Sequence, residues 1–164
     1  MSRAGRLGRR PERGQALVEF AVIAPLLVLI LLAFFDLGRG VFAFNEISNA
    51  AREGGRTAIV NQYTSDIVDR AVAQAISLGV SPSATCTGGV PNGPSGVCAT
   101  FYYPDLTTDC SSTLAPGCVA IVRVKYTFTP ITPIIGNLIG SIPITSTTKQ
   151  LIESVCTVSG CPIP

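Results

Sequence analysis

Six cysteines and a complete lack of histidine set the range of chemistry open to this 164-residue chain. Cys86, Cys98, Cys110, Cys118, Cys156 and Cys161 are even in number and all lie in the C-terminal half, a pattern that fits disulfides in an oxidising compartment. Six cysteines can pair in many ways; the sequential set, Cys86 with Cys98, Cys110 with Cys118 and Cys156 with Cys161, is expected because each pair closes a short local loop. Zinc calls for closely spaced ligand pairs, and here there is neither a Cys-x-x-Cys nor a histidine, so no metal site is expected. The missing histidine also removes the commonest general base and every Ser-His or Cys-His nucleophile pair. Two carboxylate pairs remain: Asp66 with Asp69 fits a helix start, and Asp105 with Asp109 a polar turn. No glycine-rich loop with a following lysine offers a nucleotide site. Neither an enzyme nor a cofactor is expected.

The other residue with chemical potential is Glu19, because of where it sits. Ala16 to Phe35 is twenty residues of mostly Leu, Ile, Val, Ala and Phe, interrupted only by this acid. As a helix it is about 30 Å long, enough to cross the hydrocarbon core of a bilayer. The rest of so short a chain could hardly wrap such a segment on all sides, which argues against a buried core helix. Five of the twelve basic residues, Arg3, Arg6, Arg9, Arg10 and Arg13, precede position 14 with only Glu12 as acid, giving that leader +4; the remaining 150 residues hold seven bases and nine acids, or −2. By the positive-inside rule the leader stays in the cytoplasm and the C-terminal part lies outside, in agreement with the cysteines. A cleaved secretory signal would have a shorter apolar run and a clearer small-x-small site than Gly38 and Gly40 provide. A charged content of 13% against 47% hydrophobic also argues against a disordered tail protein and against a nucleic-acid partner.

An acid at the edge of a span is costly unless it is neutralised, paired or close to water. Glu19 can snorkel to the cytoplasmic headgroups, or it can have a partner in the membrane. Its context is specific: a basic leader, Gly14, four residues Gln15 to Val18, then Glu19-Phe20, with Pro25 further along the span. This resembles the processing site of type IV prepilins, and the run from Arg13 to Pro25 is similar to TadE-like pseudopilins of the Flp, or tight adherence, system. The resemblance implies that a membrane prepilin peptidase cuts after Gly14, that Gln15 becomes the mature N-terminus and that Glu19 is retained as its fifth residue. A new α-amino group, with a reference pKa of ~7.7 to 8.0, can pair with a carboxylate on the same or a neighbouring helix. Glycine before the cut lets the backbone enter a peptidase groove in an extended form. The stretch Asn45 to Ala58, with its Ala50-Ala51-Arg52-Glu53 run, also resembles the TadE-like pattern, so the resemblance covers roughly Arg13 to Val60.

Beyond the span the helical period continues. On a wheel of about 100° per residue Phe44, Ile47, Ala51, Gly54 and Ala58 share a narrow stripe, with Arg39, Glu46, Arg52, Glu53 and Arg56 elsewhere. The stripe can pack on its own domain or form a seam between subunits. Gly54-Gly55 is expected to kink or stop this helix. Thr64 or Ser65 can cap a second helix with Ile67, Val68, Ala71, Val72 and Ala75 inward and Gly79 at its close. Ser81 to Gly96 reads as an exposed loop. Strands are expected at Val97 to Tyr103, around Val122, Val124, Tyr126 and Phe128, and from Ile142 to Ile152. The connector with Pro130, Pro133, Ile131, Ile134, Ile135, Leu138 and Ile139 is expected to cover the sheet.

The expected fold is α+β: a long N-terminal transmembrane helix leading into a small extracytoplasmic domain with a second helix and an antiparallel sheet, a pilin-like arrangement. The expected organisation is a basic leader at 1–14, a transmembrane and TadE-like helical segment at 15–60, and a cysteine-bearing domain at 61–164. The resemblance implies a minor structural component of a Flp-type pilus or its assembly machinery. Its partners would be the lipid bilayer, the prepilin peptidase, and other pilin or pseudopilin subunits and assembly proteins. Two other readings stay open: a membrane-anchored, disulfide-stabilised binding module, and a secretion-system pseudopilin.

Overall fold

The computed structural model describes residues 13–82, 85–132, 136–137, 139–158 and 160–161. Most of the leader, and Pro133, Ile134, Ile135 and Leu138 of the connector, lie outside the described residues.

One helix, α1 (Arg13–Val60), accounts for 48 residues, about 72 Å at the usual rise. Leucine, alanine and other good helix formers carry it, and it runs through Pro25 without a break. Its lower half is exposed on nearly all sides, with Leu17, Phe20, Val22 and Phe34 among the outward side chains. It is long and apolar enough to cross a membrane. Its upper half changes character: Ala43, Ile47, Ala50, Ala51 and Ala58 are buried against the rest of the chain.

What buries them is a second helix and a sheet. Helix α2 (Thr64–Gln74) turns Ile67, Val68 and Ala71 inward, and Ala75 just beyond it is buried too. A 3-10 turn (Ile76–Leu78) closes at Gly79 in a left-handed conformation. Neither Thr64 nor Ser65 caps α2. The N-cap is Tyr63, without a side-chain bond, and Asn61 does the work instead: its Oδ1 accepts the Tyr63 N–H and its Nδ2 donates to Asp66, both at 2.8 Å. The tight Asn61–Gln62 corner between the helices favours an amide that reaches forward over a cap set two residues on.

Strands β3 (Ser95–Tyr102), β4 (Val119–Phe128) and β5 (Ile142–Leu151) form an antiparallel sheet in the order β3-β4-β5. The register sets Val97 opposite Val124 and Val122 opposite Thr148, so one face of each strand meets α1 and α2 in a single core. The chain is thus α+β, a long apolar helix joined to a second helix and antiparallel sheets.

Three local expectations are corrected. Gly54-Gly55 neither kinks nor stops α1. A Cβ on Gly54 would lie 3.0 Å from Val122 Cγ1 and 3.2 Å from Ala71 Cβ, and one on Gly55 2.6 Å from Thr148 Cγ2, so the missing side chains are what let helix, sheet and α2 meet. That contact offsets the low helix propensity of glycine. Phe44 is 52% exposed, while Ala43 and Ala50 are buried; the buried arc is centred on the azimuth of Gly54, and Phe44 lies about 80° from it. The stretch from Ser81 to Gly96 is not all loop. It contains a hairpin of β1 (Cys86–Thr87) and β2 (Val90–Pro91), turned by Gly88-Gly89, both at positive φ, as a two-residue hairpin requires.

For the connector between β4 and β5 the expectation is corrected at Ile131 and Ile139. Ile131 and Ile139 are 59% and 57% exposed and do not cover the sheet, whose inner face α1 and α2 already occupy. Among the described connector residues Pro130 and Thr132 turn inward.

Candidate functional site

Gly14, Gln15, Glu19 and Phe20 fall on the first two turns of α1, all exposed. A Cβ on Gly14 would meet nothing within 4 Å. The structure brings Gln15 and Glu19 together, the Gln15 amide donating to Glu19 Oε1 at 3.3 Å, since residues four apart share a helix face. Glycine lowers the cost of unwinding a helix relative to alanine. An extended backbone around Gly14 is therefore cheap to reach. Phe20 sits beside Glu19 with its ring outward, 69% exposed.

The cysteines form three disulfides in chain order: Cys86–Cys98, Cys110–Cys118 and Cys156–Cys161. The first ties the hairpin to β3, the second closes the loop between β3 and β4, and the third closes the C-terminal tail. Sequence separations of 12, 8 and 5 correspond to about 2 to 3 kcal/mol each by loop-closure entropy.

The C-terminal tail is also tied to the end of α1. Gln62, buried, donates to the carbonyls of Ala58 and Ser154 and accepts the Cys156 N–H, while the Ile59 carbonyl accepts the Glu153 N–H at 3.1 Å. The last carbonyls of α1, which no helical N–H can reach, thereby find partners.

Sequence reasoning overlooked the most connected acid. Asp36, first residue past the apolar stretch, carries no local motif, yet it is 5% exposed. Its carboxylate accepts the Ile131 N–H at 2.9 Å, the Thr132 N–H at 2.8 Å and the Thr132 hydroxyl at 2.6 Å. Arg39, one turn on, donates to it at 3.3 Å and stacks 5.4 Å from the centre of the Phe128 ring. Arg39 is thus half-buried, not on an open polar face. Charge-assisted bonds of this kind are stronger than neutral ones, and here they fasten α1 to the β4–β5 connector where helix meets domain. One signal in the sequence could have found Asp36: it precedes Gly54 by 18 residues, five whole turns, and so shares the azimuth of the buried stripe. Its partner Thr132 lies 96 residues away, which no local pattern reveals.

The arrangement defines a class: a helix-anchored protein, single-pass by its one candidate span among the described residues, with a disulfide-bonded C-terminal domain docked on the upper half of the same helix. Residues 14–56 match the model of a family described as TadE-like protein. The chain therefore carries a TadE-like segment, which runs from the residue before the expected cut to the helix turns that pack on the sheet, and whose family is associated with the Tad pilus. Comparison with curated proteins and with solved structures gave no match.

Proposed function

We propose that the protein is a pseudopilin-like minor structural component of a Flp-type pilus or of its assembly machinery, processed by a prepilin peptidase after Gly14. The observation that carries this reading is the Gly14 to Phe20 motif on the exposed first turns of an apolar helix, inside the TadE-like segment. In this reading the leader is cytoplasmic, the helix is inserted with the cysteine-bearing domain outside, and three disulfides suit that side of the membrane. Cleavage frees the α-amino group of Gln15, and Glu19, four residues on, is its counter-charge on the same or a neighbouring helix. Such pairing favours subunits side by side in register.

The test is the N-terminal residue of the mature protein in cells with an active prepilin peptidase. Gln15 is expected; an intact leader would rule the processing out. Glu19→Ala, with insertion intact, should abolish pilus assembly. Normal assembly with that variant would favour a helix that serves only as a tether for an extracellular binding module.

A further inference from the structure

Between α1 and the near end of the sheet runs a cleft of about 450 Å³. Ala33, Leu37, Val41 and Phe44 wall it on the helix side, and Phe128 and Ile144 on the sheet side. Asp36 is the one charged residue in its lining, and both its oxygens are engaged by Ile131, Thr132 and Arg39. The four helix positions follow turn on turn, and Ala33 belongs to the apolar span itself. The cleft is therefore continuous with the surface that faces lipid.

Its level relative to the bilayer follows from the helix. Exposed apolar side chains continue along α1 from Leu17 to Phe44, 28 residues or about 42 Å, against about 30 Å for the hydrocarbon core and 40–45 Å with its interfacial layers. The only charges between Glu19 and Glu46 are Asp36 and Arg39, and both turn towards the domain, leaving this surface apolar up to Phe44. Exposed Ile131, Ile139 and Ile142 extend the apolar surface onto the domain.

We propose that the cleft takes an acyl chain of a phospholipid from the adjoining leaflet, which seats the domain against the bilayer. The proposal rests on the membrane anchorage argued above, not on cleavage after Gly14. The chain has no tryptophan, so one introduced indole is a unique reporter. Full-length Ile144→Trp, on the sheet wall of the cleft, is compared with Leu151→Trp at the far end of the same strand. Both are reconstituted in phosphatidylethanolamine–phosphatidylglycerol vesicles with brominated or ordinary acyl chains. Bromine should quench Ile144→Trp several-fold and leave Leu151→Trp unchanged. Adding Gly40→Leu, whose side chain points at the Phe128 ring, should fill the cleft and restore the emission. Ile142→Trp, at the partly exposed rim, serves as a second reporter should Ile144→Trp misfold. Absence of quenching overturns the proposal, as does quenching that Gly40→Leu leaves intact, which would mean immersion without a seated chain. Emission that responds to protein dilution and not to bromine would give the cleft to a second copy, and also overturns it. Failure of the protein to float with the vesicles would overturn the anchorage instead.

Discussion

The lower and upper halves of α1 are one unbroken helix in two different surroundings. Below Asp36 large side chains face outward; above it the inward face is Ala, Gly, Thr57 and a single Ile, pressed against sheet and α2. Large outward residues suit a fluid solvent such as lipid, which adapts to any shape. Small inward residues suit a fixed protein surface, where close backbone approach gives dense packing. The two acids follow the same division: Glu19 is exposed, with Gln15 as its neighbour, whereas Asp36 is enclosed by donors from the connector. One continuous helix can therefore present two surfaces with different roles.

Substitutions at glycine test this division most severely. Gly54→Leu is expected to destabilise the domain by about 3 kcal/mol through overpacking against Val122 and Ala71, whereas Gly14→Leu, with open space around it, should leave urea unfolding in detergent unchanged. Equal effects would break the comparison. Replacing Cys86 and Cys98 together by serine should cost about 2 to 3 kcal/mol in the same measurement, while the helical circular dichroism of the span persists. Asp36→Asn should raise hydrogen exchange at the Ile131 and Thr132 amides, with no such change for Glu19→Gln.

Acid should weaken the domain. The Thr108 hydroxyl, then the Thr107 and Thr108 N–H groups, hold the Asp105 carboxyl well below its ordinary range, and the hydroxyl and N–H of Ser111 lower Asp109 in the same way. A lowered folded-state pKa contributes stability that is complete above the unfolded value of ~3.9 and is lost as pH falls through the folded one. The urea midpoint should therefore drop below about pH 4, and less so in Asp105→Ala. This is the smallest of the effects, since both groups sit in an exposed turn.

Regularities along the chain made some of this legible before the fold was known. The apolar run at Ala16 to Phe35 announces the span, and the alternation from Val122 to Phe128 announces β4, because both patterns repeat over many residues. The inward face of α2 was equally plain from Ile67, Val68 and Ala71. What escaped depends on partners remote in sequence. Asp36 needs Thr132, Gly54 needs Val122, and Gln62 needs the tail at Ser154 and Cys156; each alone looks like a charge, a helix breaker or a corner amide. The hairpin at Cys86 to Pro91 escaped because two-residue strands leave no period to read.

The continuity of α1 also fixes an angular phase. With no break between Gly14 and Val60, one residue inserted between Phe35 and Asp36 would turn the domain by about 100° relative to Glu19 and raise it by about 1.5 Å. Any docking that uses both ends of this shaft at once would be misaligned, although every local contact within the membrane half and within the domain remained intact.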